Sequence, residues 1–153
     1  MQVAAKRLGN VKVTGSRELA FDQGLPGFED HLRFALLDLE IDLPIKLLQS
    51  LSDPDISLLV GDPFYFYPDY EWELPEHIQQ ELHISDVSDV EIWSVIILPA
   101  VASESTINLL APIIMNRTKL SARQIILHGS SYSNRHPLMR PEGGAGNQGQ
   151  GES

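Results

Sequence analysis

Six of the chain's eleven aromatic residues fall within nine positions, Phe64-Tyr65-Phe66-Tyr67-Pro68-Asp69-Tyr70-Glu71-Trp72, flanked by Asp62 and Glu73 and free of basic residues. The chemistry open to such a segment is recognition. Tyr and Trp bury large area with few rotatable bonds and keep a polar tip, so they concentrate where proteins grip partners. The plainer alternative is that Tyr65 and Tyr67 cap a small core. Bond-making chemistry is harder to assemble. A hydrolase needs a nucleophile with a base, or paired carboxylates in opposed environments; the candidates are Asp69, Glu71, His77 and His83, and nothing in their spacing selects them. His77 and His83 stand about 240° apart round a helix and cannot share a metal on one face. Asp53-Pro54-Asp55 lacks the later ligands and the turn glycine of a calcium loop, and Gly24-Leu25-Pro26-Gly27 lacks the lysine of a phosphate loop, so it reads as a tight turn. Lone His31 and His128 read as surface or core residues of strands. The chain is therefore expected to be no enzyme and to need no metal or cofactor.

The elements that must position the aromatic segment are mostly strands. Short β-like runs cover Arg17 to Asp22, His31 to Asp38, Pro44 to Ser50, Ile56 to Val60, Pro63 to Tyr67, Ser88 to Leu98, Thr106 to Met115 and Ala122 to His128. Leu19 and Phe21, then Leu32, Phe34 and Leu36, alternate with polar or small neighbours as half-buried antiparallel strands do. In Pro63 to Tyr67 the same period sends Phe64 and Phe66 one way and Tyr65 and Tyr67 the other. Val95 to Leu98, Ile113 to Met115 and Ile125 to Leu127 are apolar on both faces and read as the centre of the sheet. Pro112 removes a ladder donor, so the strand around it is expected to bulge or lie at an edge. One helix is expected, from about Pro75 to His83, with Leu74, Ile78 and Leu82 on one face, plugging an open end of the sheet. The predicted core is Leu19, Phe21, Phe34, Ile92, Ile96, Leu109, Ile113 and Ile125. The fold class is all-β: a compact single-domain antiparallel barrel-like fold with one or two short helices, over residues 1–140. Glu142 to Ser153 holds nothing able to anchor it in a core, and residues 141–153 are expected to form a disordered Gly-rich tail.

At 153 residues and 42% hydrophobic content the chain suits one domain without staples. It has no cysteine, which excludes a disulfide framework and thiolate chemistry. With no apolar run near the ~20 residues that span a bilayer and no signal-peptide core, it is expected to be cytoplasmic. The net charge of −10 is unevenly spread: Glu18 to Glu104 holds 19 acidic residues against Arg33 and Lys46, a net −17. The first seventeen residues carry +4, from Lys6, Arg7, Lys12 and Arg17. A surface of carboxylates repels phosphate and draws in basic protein, so no direct nucleic-acid contact is expected.

Four segments in order, Gly24-Leu25-Pro26-Gly27-Phe28-Glu29, Asp62-Pro63-Phe64 followed by Pro68-Asp69-Tyr70-Glu71, Asn108-Leu109-Leu110-Ala111-Pro112-Ile113-Ile114-Met115-Asn116, and Arg135-His136-Pro137-Leu138, resemble the flagellar assembly factor FliW family. The resemblance runs from about Glu18 to Leu138 and leaves the basic N-terminal segment and the tail outside it. It implies a barrel-like β-fold and a cytoplasmic bacterial protein that exchanges partners. In that family FliW binds the translational regulator CsrA, relieving its repression of flagellin mRNA, and newly made flagellin competes for FliW. CsrA is a small RNA-binding dimer with basic surface, which suits the acidic block. Flagellin termini are disordered until assembled, and a binder for them needs an exposed apolar or aromatic strip. The expected interfaces are Phe64, Tyr65, Tyr67, Asp69, Tyr70 and Glu71 for one, and Tyr132, Arg135, His136 and Leu138 for a second. No membrane contact is expected, and the protein is expected to act as a monomer. The alternatives are a small barrel that binds a metabolite, with Tyr65, Tyr67 and Asp69 at its mouth, and a hydrolase using Asp69 and Glu71.

Overall fold

The computed structural model describes residues 2–5 and 9–139. Six strands follow one another as antiparallel neighbours: β1 (Gln2–Ala5), β2 (Gly9–Ala20), β3 (Arg33–Leu39), β4 (Ile45–Ser50), β5 (Ser57–Gly61) and β6 (Val90–Ile97). Two short helices, α1 (Pro63–Phe66) and α2 (Glu76–Glu81), lie between β5 and β6. After β6 come β7 (Thr106–Ile107), β8 (Ile113–Asn116), β9 (Ala122–Gln124) and β10 (His136–Pro137). The expected all-β barrel is the fold observed. Its ladder β2-β3-β4-β5-β6-β8-β9 returns to its start where Ala20 bridges in parallel to Ser121, with the Ala20 N–H donating to the Leu120 carbonyl at 3.0 Å.

β6 is the strand on which the sheet turns. One edge pairs with β5 through Ser94 to Ile96, and the other pairs with β8 through Val90 to Trp93 and with β7 through Ile96 and Ile97. The single strand expected from Thr106 to Met115 is thus two, β7 and β8, with residues 108–112 bulging between them. The Asn108 side chain holds that bulge by accepting from the N–H groups of Leu110 and Ala111 at 3.1 and 3.0 Å, and Pro112, with no donor to lose, closes it.

Strand alternation divides the apolar residues into an inside and a covered outside. Leu19, Phe21, Phe34, Leu36, Leu48, Val60, Trp93, Ile113 and Met115 fill the barrel. Ile114 points the other way and meets Ile78 and Leu82 of the α2 segment, with Ile92 and Ile125 half-buried beside them. The helix therefore covers an outer face of β6 and β8 rather than an open end, and Ile92 and Ile125 belong to that layer, not to the interior. Leu32 is 48% exposed because it precedes β3 instead of extending it. The Ile125 to Leu127 run lies beyond β9 and is not a central strand.

A charged clamp ties β2 to β6. The Arg17 guanidinium donates twice to Glu91, at 3.1 and 2.8 Å, the Trp93 indole N–H donates to the same carboxylate at 2.8 Å, and the Arg117 Nε lies 3.7 Å away. Burial pushes the Glu91 carboxyl up, but these bonds and charges outweigh it and hold it below the usual value. The predicted tail, Glu142 to Ser153, lies outside the described residues, as do Lys6 and Arg7.

Candidate functional site

Asp62 starts the aromatic segment. Its carboxylate accepts from the Phe64 N–H at 2.9 Å, Pro63 fits the first helical position, and the Tyr67 N–H returns to the Pro63 carbonyl at 2.8 Å. Pro63 to Tyr67 is therefore one helical turn with its cap, not the expected strand, and the two-way division of faces gives way to a different one. Phe64 and Tyr65 are 42% and 57% exposed, while Phe66 and Tyr67 are half-buried. Gly61 lets the turn sit down on the sheet, because a Cβ there would lie 2.6 Å from Ile96 Cδ1 and 3.2 Å from the Phe66 ring.

The two segments expected as separate interfaces form one continuous surface. The Tyr67 hydroxyl donates to the Pro137 carbonyl at 2.6 Å, and its ring lies edge-on to His136 at 5.3 Å between centroids. The Tyr132 hydroxyl accepts from the Glu71 N–H at 2.9 Å and donates to the Glu71 carbonyl at 3.1 Å, pinning an extended stretch that makes no ladder bonds of its own. Tyr132 also meets Tyr70 at 4.7 Å and His136 at 6.1 Å. His136 Nε2 accepts from the Ser133 N–H at 2.8 Å, and the Leu138 N–H donates to the Ser105 carbonyl at 2.8 Å. Arg135 is exposed, with its backbone N–H bonded to the Ser133 hydroxyl.

Tyr70 departs from the expected surface. It is 4% exposed, and its hydroxyl donates to the Leu109 carbonyl at 2.7 Å, so it is the post under the patch rather than part of its face. Burial, with Tyr132 adding to it, raises its phenol well above the usual range and keeps it a neutral donor. Beneath the whole patch lies a second apolar core of Ile45, Ile96, Ile107, Leu109 and Leu127.

Asp69, Glu71 and Glu73 are exposed, and none forms an ion pair among the described residues. The two cations of the acidic block are engaged elsewhere, Arg33 with Glu18 at 2.5 Å and Lys46 with Asp38 at 2.5 Å. The patch thus keeps its negative charge. Beside it opens a groove of about 570 Å³ lined by Phe64, Trp72, Leu74, Ile84, Val87 and Ile92, with Glu71 and Asp86 also on its walls. Val87, 85% exposed in a single turn between Asp86 and Ser88, escaped the sequence reading because it belongs to no periodic pattern. The barrel interior is filled by apolar side chains, so Tyr65, Tyr67 and Asp69 do not stand at the mouth of a polar cavity there, as the metabolite reading requires.

A family model described as FliW protein matches residues 2–138. The match takes in the N-terminal hairpin that the sequence resemblance had left outside. The flagellar assembly factor FliW of Bacillus subtilis is 36% identical over 138 residues, covering 90% of this chain and 96% of the relative. That of Bacillus velezensis is 37% identical over 136 residues, covering 89% and 95%. A crystal structure of the flagellar assembly factor FliW superposes with a TM-score of 0.79 at 30% identity, covering 93% of this chain and 99% of that one. With sequence and fold agreeing over nearly the whole described chain, the protein belongs to the FliW family of flagellar assembly factors.

Proposed function

We propose that the protein works in the cytoplasm by exchanging two protein partners, CsrA and flagellin, and that holding CsrA relieves its repression of flagellin mRNA. The observation that carries this reading is the joining of Phe64 to Trp72 with Tyr132 to Leu138 into one continuous aromatic surface, partly exposed, along which Asp69, Glu71 and Glu73 form no ion pair among the described residues. A basic RNA-binding dimer is drawn to such a surface by charge and anchored on it by aromatic area. Bound acidic surface beside the RNA-binding face also repels phosphate, so inhibition is partly electrostatic. Phe64, Tyr65, Tyr67, Asp69 and Glu71, with Tyr132, Arg135, His136 and Leu138, are the contact residues we assign. The apolar groove next to them suits the amphipathic ends of flagellin. Sharing Glu71 and Trp72 with the patch makes binding of the two partners mutually restrictive.

Pull-down with purified CsrA and flagellin, alone and in competition, tests this directly. The expected result is capture of each and displacement of CsrA by excess flagellin. Capture of neither overturns the proposal.

A further inference from the structure

We propose that the open edge running from β9 to Leu127 accepts an extended basic peptide as an added strand, at a docking site that adjoins the aromatic patch and shares Glu71, Trp72 and Tyr132 with it. Among the described residues β9 pairs with β8 alone, and the bridge from Ala20 meets the chain at Ser121, just before β9 begins. Past its end the Ile125 N–H donates to the Pro112 carbonyl at 3.0 Å and the Leu127 N–H to the Leu110 carbonyl at 2.8 Å, before the chain turns and the His128 N–H folds back onto the Ile126 carbonyl at 3.0 Å. Backbone groups alternate sides along a strand. Since residues 125 and 127 turn toward the barrel, Gln124 and Ile126 turn their N–H groups outward.

Along this stretch runs a groove of about 1020 Å³. Its lining includes every residue from Arg123 to Ser130 in unbroken succession. The groove follows this stretch through its extended part and its turn at His128 and Gly129, with the bulge residues Asn108 and Ala111 and the turn residue Pro26 also on its lining. The far wall brings Trp72, Glu73 and His77. An added peptide would lie beside the N–H groups of Gln124 and Ile126, for which no partner stands among the described residues, with Trp72 also within the groove.

Charge selects a basic occupant. Glu71 and Glu73 line the groove without an ion pair among the described residues, while Arg123, the cation on the strand side, is engaged with Glu81. Exposed edges are usually blunted by proline, lysine or shortness. The edge at β10 is two residues long and carries Pro137. The edge from β9 to Leu127 carries neither proline nor lysine, its one cation, Arg123, is held by Glu81, and it presents Ile126 at 51% exposure. At ~3.3 Å per residue, a peptide of about six residues spans it.

The test uses the full-length protein and a blocked synthetic hexapeptide, Lys-Val-Lys-Val-Lys-Val, titrated by calorimetry and by backbone amide chemical shifts. The expected result is saturable binding with the largest shifts at the Gln124 and Ile126 amides, and a loss of about tenfold or more when alternate peptide amides are N-methylated, which keeps charge and side chains but removes strand pairing. Ile126→Pro should produce the same loss while leaving the thermal melt and capture of CsrA and flagellin unchanged. Equal affinity for the N-methylated peptide would show charge attraction alone and overturn strand addition, as would shifts confined to residues 64–72 or no binding at millimolar peptide. If two copies of this chain occupy the edge instead, sedimentation would show a dimer that Ile126→Pro dissolves, and the peptide proposal falls. Should Ile126→Pro unfold the protein, the N-methylated peptide decides the question alone.

Discussion

Glu91 sits where burial and charge pull in opposite directions, and the charges win. Its carboxyl is held below the ordinary value of 4.5 by Arg17, Trp93 and Arg117. A group whose value is lowered on folding stabilises the fold above its unfolded value and loses that contribution as pH falls through the folded one. Stability should therefore drop on acidification below about pH 4.5. Glu91→Gln should cost about 1 to 3 kcal/mol at neutral pH, by leaving charged donors poorly matched, and should flatten that part of the acid profile in a series of thermal melts. Ile113, 1% exposed inside the barrel, makes the complementary case. Ile113→Ala should cost about 2 to 5 kcal/mol through lost burial and a cavity, measured by denaturant titration. Such apolar positions were legible from alternation alone. The clamp was not, because Arg17 and Glu91 are 74 residues apart and nothing local pairs them.

Among the elements, α1 shows both what a pattern reveals and where it misleads. Pro63 to Tyr67 has the aromatic density and two-residue alternation of a strand, and those signals outweigh propensity in a reading by period. The deciding information was the pair Asp62-Pro63, which caps a helix as readily as it makes a turn. Only the fold, by placing the segment over Gly61 beside Ile96, selects between them. Asp62→Ala should destabilise the protein by about 1 kcal/mol and should loosen partner binding by disordering Phe64 and Tyr65, seen as faster dissociation in surface-binding kinetics. The same limit explains Ile125 to Leu127. Three apolar residues in a row look like a buried strand, yet only their alternate members pair inward, so a continuous run hid an open edge. Tyr67 and Tyr132 stand out by type as candidates for recognition, but their joining into one surface depends on hydrogen bonds spanning 70 and 61 residues.

For the whole molecule, the proposed capture of CsrA makes the surviving field of the acidic block the expected control on how fast that basic partner arrives. Steering by exposed charge fades as the screening length falls to about 3 Å near 1 M salt, so CsrA association should slow with salt far more than dissociation quickens. Replacing Asp69, Glu71 and Glu73 together by their amides should lower the on-rate and its salt dependence in stopped-flow measurements. Tyr65→Ala and Tyr67→Ala should act on the off-rate. An unchanged on-rate in the triple variant would place the docking surface elsewhere. The way the barrel shuts has a separate, temporal consequence. Most of its strands pair with chain neighbours, but closure waits on the bridge between Ala20 and Ser121, a contact that spans most of the described chain and cannot form until synthesis has passed Ser121. Contacts between such distant residues form late and reopen first. During synthesis the N-terminal sheet should stand open along this seam, and in the finished protein the Ala20 amide should exchange with solvent ahead of the amides of β3 and β4. The seam is then where the barrel breathes, and for a newborn chain it is the last door to close.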